Sequence, residues 1–280
     1  MCFRAQLLIT TLALTVIPNC YAELKEFTLS EILTATTLET DTLVLVDLDK
    51  DNDLDLVNTP NYGPAQYWMN DNSNAPFYSG EGTFFDGNPS FTNIAVADLN
   101  NDQFPDIILY TFSKEKYLYI NSGNNDPFEG VSPEVFASNF SSTEQILVND
   151  MNNDGFLDLF LGQTNNQLNE IYLNTSSQGN LDYQFNMGTP ISNVLAYTSD
   201  AMFADINSDG NQDLLIIHDH DSDDIKRGLE ILYHNGSNTP FSDSNRQEVE
   251  NTSMANKVNA SDIDNDGDLD LVVNNINEEA

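Results

Sequence analysis

The sequence predicts an all-β chain of repeated four-stranded units, and three observations carry that prediction. An acidic nine-residue segment recurs five times at a nearly constant period. Each copy is flanked by short apolar runs of strand length. No stretch between copies carries the 3.6-residue apolar period of an amphipathic helix.

Residues 1–22 stand apart from that array. They hold one positive charge, Arg4, no acidic residue, and an apolar run over 7–18 broken only by threonine. Asn19-Cys20-Tyr21-Ala22 comes next, which places Cys20 and Ala22 at the −3 and −1 positions of a cleavage site before Glu23. A positive start, a short apolar centre and small residues at the exit describe a secretory signal. The run is too short to span a bilayer comfortably. The expected organisation is a signal peptide at 1–22 and one repeat domain at 23–280, released to the outside or held at the cell surface. Both cysteines, Cys2 and Cys20, leave with the signal, so no disulfide can staple the exported domain.

Composition narrows the partners. Of 280 residues, 45 are acidic and 9 basic, a net charge of −36, while 40% are apolar. That apolar share is enough to build a core. The charge opposes binding to nucleic acid or to an anionic lipid surface. No second apolar segment is long enough for membrane insertion. A cationic partner fits, and a metal ion is the simplest one. The sequence does not set the oligomeric state.

The recurring segments read Asp-x-[Asp/Asn]-x-Asp-x-x-x-Asp and begin at Asp47, Asp98, Asp150, Asp205 and Asp262, spaced 51, 52, 55 and 57 residues apart. Calcium takes six to eight hard oxygen ligands and tolerates irregular geometry. Side-chain oxygens at alternate positions 1, 3 and 5 of a tight loop converge on one point. A main-chain carbonyl at position 7 and an aspartate at position 9 close the shell. The candidate ligands of the first loop are Asp47, Asp49, Asp51, Asp53 and Asp55. Those of the second are Asp98, Asn100, Asp102, Phe104 and Asp106, and of the third Asp150, Asn152, Asp154, Phe156 and Asp158. The fourth offers Asp205, Asn207, Asp209, Asn211 and Asp213, and the fifth Asp262, Asp264, Asp266, Asp268 and Asp270. Up to five Ca2+ ions, one per repeat, are therefore expected. Position 6 needs a sharp turn with φ > 0, which Gly155, Gly210 and Gly267 supply without strain and Asn52 tolerates. Gln103 does not, and Pro105 lies two residues on, so the second loop is the weakest site. Magnesium demands a stricter octahedral shell, and zinc prefers the His and Cys that these loops lack. The alternative is that the loops are acidic turns satisfied by their own backbone amides.

The residues after each loop rule out an EF-hand, which would place Glu at position 12 and run into a helix. Position 12 is instead Asn58, Leu109, Leu161, Ile216 and Val273. Leu43-Val-Leu-Val46, Ile94-Ala-Val-Ala97, Ile146-Leu-Val148 and Ala201-Met-Phe-Ala204 precede the first four loops, and apolar runs open at Leu56, Ile107, Leu159, Leu214 and Leu271 after all five. Each loop is expected to join two strands of a hairpin. Between loops a second motif recurs: Tyr67-Trp68-Met-Asn70 then Pro76-Phe77, Tyr119-Ile-Asn121 then Pro127-Phe128, Tyr172-Leu-Asn174 then Phe185, and Tyr233-His-Asn235 then Pro240-Phe241. An aromatic third strand, a polar turn and a Phe-led fourth segment complete the unit. These aromatics are expected to pack between sheets; a ring of sugar-stacking side chains is the functional alternative.

Four-stranded units at this period describe an all-β β-propeller with a calcium loop in each blade, five repeats present and the last blade incomplete. Residues 23–46 could donate an outer strand that closes a five-unit ring. The favoured expectation is a piece of a larger ring, because Val272-Val273 would otherwise leave an apolar edge open. The loop motif with its Tyr-x-Asn and Pro-Phe strands resembles the FG-GAP/VCBS repeat family over about 47–280, and the last repeat is similar to the cartilage-acidic-protein-like branch. That resemblance implies calcium within propeller blades and an extracellular binding or adhesion module with a protein or glycan ligand, not an enzyme.

The enzyme alternative, a polysaccharide lyase on a calcium-stabilised propeller, would need a cation to hold an enolate-like anion. Lys226-Arg227 is the one adjacent basic pair, beside His218-Asp-His220-Asp-Ser-Asp-Asp224. That acidic, histidine-bearing insertion reads as a solvated loop before it reads as a transition-metal site. Five Asn-x-Ser sequons, at Asn139, Asn174, Asn235, Asn251 and Asn259, matter only in a glycosylating host.

Overall fold

The computed structural model describes residues 40–60, 63–70, 77, 82–87, 93–110, 116–136, 143–164, 166–176, 185–186, 188–218, 228–252 and 255–275. The expected signal peptide, the proposed closing segment before residue 40, and Lys226-Arg227 with His220 lie outside them.

The chain is all-β: four four-stranded antiparallel sheets and one two-stranded sheet, in chain order. The first sheet holds β1 (Thr40–Val46), β2 (Asp55–Pro60), β3 (Gln66–Trp68) and β4 (Thr83–Phe84). The second holds β5 (Asn93–Ala97), β6 (Asp106–Tyr110), β7 (Lys116–Tyr119) and β8 (Glu134–Phe136). The third holds β9 (Thr143–Asn149), β10 (Asp158–Gln163), β11 (Gln167–Tyr172) and β12 (Thr189–Ala196), and the fourth β13 (Thr198–Ala204), β14 (Asp213–His218), β15 (Gly228–Leu232) and β16 (Arg246–Glu248). β17 (Ala255–Ser261) and β18 (Asp270–Asn275) form the last. The one helical element among the described residues is a 3-10 turn, Asp243–Asn245.

Every acidic segment joins the first two strands of its sheet, and the register is the same each time. The residue before position 1 pairs with the aspartate at position 9: Val46 with Asp55, Ala97 with Asp106, Asn149 with Asp158, Ala204 with Asp213 and Ser261 with Asp270. The second strands β2, β6, β10 and β14 are buried along their whole length. A strand covered on both faces favours a continuous apolar run, which is how β6, β10 and β14 read, whereas β2 also buries Asn58 and Thr59.

Alternation then sets the packing. In β6, Ile107 and Leu109 join Val57 and Tyr67 of the first sheet, while Ile108 and Tyr110 join Leu159 and Leu161 of the third. Phe160 meets Leu214 and Ile216 between the third and fourth sheets, and Leu215 and Ile217 meet Ala255 and Val258 of the last. Positions 10 and 12 thus face the preceding sheet, and position 11 the next one. The first strands also run side by side: Thr42 Oγ1 donates to Asn93 Oδ1 (3.0 Å), Asn93 Nδ2 to the Glu144 carbonyl (3.3 Å), and Gln145 Nε2 to the Ala201 carbonyl (3.1 Å).

Four of the five recurring aromatics are core; Tyr233 is half-buried, its hydroxyl donating to Gln247 Oε1 at 3.0 Å. Tyr67, Trp68, Tyr119 and Tyr172 are buried. Tyr67 packs on Phe85 and Phe128, and Tyr172 on Phe136. They have no free face for a sugar. Two sequence expectations need correction. The Phe-led segments are not the fourth strands, which begin later, at Thr83, Glu134, Thr189 and Arg246. The segments are turns instead: the Pro127 and Pro240 carbonyls accept the Ser122 and Asn235 N–H groups, while Phe128 and Phe241 plug the core. His218 is no solvated loop residue. It ends β14, buried, with Nε2 3.4 Å from Glu230 Oε1. Burial alone would raise the Glu230 pKa, but His218 and Arg246 beside it more than offset that and hold it below the usual range.

Candidate metal-binding loops

All five loops share one backbone. Position 6 has positive φ in each, at Asn52 (73°), Gln103 (78°), Gly155 (91°), Gly210 (90°) and Gly267 (99°). Position 4 does too, at Lys50, Asn101, Asn153, Ser208 and Asn265, between 57° and 64°. Sequence reasoning missed this second left-handed position, although Asn, which enters that region more readily than other side chains, stands there in three of the five loops.

The carboxylates hold this path. Position 1 accepts the position-6 N–H in every loop, from 2.7 Å at Gln103 to 3.1 Å at Asn52. Position 5 accepts the position-7 N–H, at 2.8–3.0 Å. Position 9 accepts the position-2 N–H, at 2.8–3.1 Å. An ionised carboxylate has about four lone-pair sites, so one amide bond per oxygen leaves room for a cation.

In the first loop Asp47, Asp49 and Asp55 each offer an oxygen within 4.8 Å of the others, and in the fifth Asp262, Asp264 and Asp270 do the same. Asp47 Oδ1 is buried with no hydrogen-bond partner. An orphaned carboxylate oxygen is costly unless a cation takes it. In the middle loops position 3 is Asn, and its Nδ2 donates to the position-5 carboxylate: Asn100 to Asp102, Asn152 to Asp154, Asn207 to Asp209. At position 7 the two phenylalanines offer only a main-chain carbonyl. The Phe104 ring lies against Gly123, and Phe156 is buried. The donor set is hard oxygen throughout, which suits calcium over softer metals.

Position 9 stands out electrostatically. Asp55, Asp106, Asp158 and Asp213 are fully buried, whereas Asp270 is exposed. Burial pushes Asp55 and Asp158 up to about 6 and Asp106 to about 7, with the amide bonds opposing it, and Asp213 moves the same way. Asp49 is also raised, chiefly by burial.

The second oxygen of position 9 accepts an N–H from the end of the third strand: Asn70 (2.7 Å), Asn121 (2.9 Å), Asn174 (2.7 Å) and His234 (2.8 Å). The register corrects the sequence motif. Trp68, Tyr119, Tyr172 and Leu232 all pair with position 10, so the fourth unit reads Leu-x-His and His234, not Asn235, matches Asn121 and Asn174. Asn174, a sequon residue, is fully buried. Adjacent loops also touch: Asn101 Nδ2 donates to the Gly155 carbonyl and Asn153 Nδ2 to Asn211 Oδ1.

The profile of the family described as FG-GAP-like repeat matches residues 47–109, 150–216 and 205–273. Comparison with curated proteins returned no significant match.

Proposed function

The chain belongs to the FG-GAP-like repeat family, and from that premise we propose a secreted, calcium-loaded β-propeller that serves as an extracellular binding or adhesion module. FG-GAP repeats generally mediate binding and adhesion, and the burial of Tyr67, Trp68, Tyr119 and Tyr172 leaves any ligand to the loops and outer surfaces. The observation that carries the calcium part is the first loop, where three carboxylates converge and Asp47 Oδ1 is buried without a partner. Calcium's role here is structural. Asp47, Asp49, Asp51 and Asp55, with their counterparts in the other loops and the position-7 carbonyls, would hold it. The ion would supply positive charge to a hairpin that otherwise concentrates carboxylates. The packing of each sheet on the next, with first strands adjacent, supports a propeller, and the secretory pattern of 1–22 supports export. Among the described residues no helix is long and apolar enough to cross a membrane.

Thermal unfolding of residues 23–280 with about 1 mM calcium and then with excess chelator tests this. A site with Kd near 10 μM contributes about 2.7 kcal/mol at that concentration. A Tm raised by many degrees with calcium is the expected result; a cooperative melt indifferent to chelator overturns the calcium reading. Retention of the holo protein on a glycan or surface-protein array without turnover separates a binding module from a lyase, which would depolymerise an acidic glycan.

A further inference from the structure

In the second, third and fourth units the side chain that follows the third strand reaches out of its own unit, whereas Asn70 in the first donates to the Leu54 carbonyl of its own loop. Asn121 Nδ2 donates to the carbonyl of Leu48, position 2 of the preceding loop, at 2.8 Å. Asn174 Nδ2 donates to the Leu99 carbonyl at 2.9 Å, and His234 Nε2 meets the Met151 carbonyl at 2.7 Å. Leu48, Leu99 and Met151 are buried, their side chains in the core between their own sheet and the next. Each of these position-2 residues therefore has three anchors. Its N–H binds the position-9 aspartate of its own loop, its carbonyl takes a donor from the next unit, and its side chain fills the seam between the two.

The links join end to end. Asp55 accepts from Leu48, whose carbonyl accepts from Asn121, whose N–H binds Asp106. Asp106 accepts from Leu99, whose carbonyl accepts from Asn174, whose N–H binds Asp158. Asp158 accepts from Met151, whose carbonyl meets His234, whose N–H binds Asp213. One hydrogen-bonded line thus runs through four loops in four sheets.

His234 keeps the pattern with different chemistry. A carbonyl can only accept, so Nε2 donates to Met151. The Gly236 N–H can only donate, so Nδ1 accepts it, at 2.9 Å. The neutral Nε2–H imidazole reproduces both halves of the carboxamide, since Asn121 Oδ1 accepts the Gly123 N–H at 2.8 Å.

We propose that Asn121, Asn174 and His234 are positioning residues for the metal loop of the preceding unit, so that calcium sites in neighbouring sheets are coupled through the position-2 residue. This rests on the calcium reading above. Partners that orient a metal's ligands typically carry about 10–100-fold in affinity when removed. Each donor here acts on the position-9 aspartate through a single residue, whose carbonyl it binds and whose N–H the aspartate accepts.

The first loop allows a site-selective test. Trp68 is the one tryptophan and lies across the ladder from Leu56, next to Asp55. Terbium titrated into the full chain and excited through Trp68 reports that loop, and calcium competition gives its affinity. Asn121→Ala is expected to weaken the first loop about tenfold, toward the low end of that range. Asn121→His is expected to return most of the loss, as His234 does this work in the fourth unit. Should Asn121→Ala not fold by circular dichroism, Asn121→Ser carries the same test: its hydroxyl can still accept the Gly123 N–H but is too short to reach Leu48. A wild-type midpoint in the folded variant, with only a lower Tm, overturns the proposal and leaves the calcium reading intact. Absence of any calcium-displaceable terbium signal in the wild type overturns both.

Discussion

Gln103 holds φ at 78° where three of the other loops have glycine. A side chain in the left-handed region costs about 1–2 kcal/mol, part of which glycine returns through its more flexible unfolded chain. Gln103→Gly is therefore expected to stabilise the protein by about 1 kcal/mol, measured as a rise in the urea midpoint under chelator. An unchanged midpoint would mean that the neighbouring bonds to Asp98 absorb the strain. Position 6 was legible in the sequence because glycine marks it three times. Position 4 was not read from the sequence, although Asn stands there three times, because Lys50 and Ser208 meet the same backbone demand and blur the pattern. The role of His234 was hidden for the same reason: hydrogen-bonding shape, not residue type, repeats.

Strand pairs around the loops were the most legible elements, because apolar runs bracket each acidic turn and the turn fixes the register. The fourth strands were not. Proline and phenylalanine drew the eye to the segments that close the turn, while the strands themselves, such as Thr83–Phe84 and Arg246–Glu248, are short and lie at the outer edge. How closely two sheets approach is also invisible in sequence until a glycine is placed. A Cβ on Gly162 in β10 would sit 2.8 Å from Thr198 Cγ2 of the next sheet. Thr198 is fully buried and bonded to Asn169, so it cannot easily give way. Gly162→Ala is expected to cost about 1–3 kcal/mol by overpacking, read from thermal unfolding. Thr198→Ser in the same background should recover part of it by removing the clashing methyl.

Across the whole molecule the buried position-9 aspartates give stability a definite pH dependence. Their pKa values are raised in the folded state, so the folded protein binds more protons than the unfolded one above pH 4. In chelator, their contribution is fully present below about pH 4 and is lost as pH rises through about 6–7. Metal binding must expel those protons, so stabilisation by calcium should grow over the same interval. Tm measured from pH 4 to 8, with and without calcium, should give curves that diverge as pH rises; parallel curves would exclude these aspartates as ligands.

The shared register has a consequence for the molecule as an electrical object. Because every acidic turn joins the first and second strands of its sheet, and adjacent turns touch, negative charge gathers along one rim of the stack. Without metal, like charges crowd along that line of turns and repel one another as well as any anionic surface brought near, and each cation captured there would weaken both repulsions.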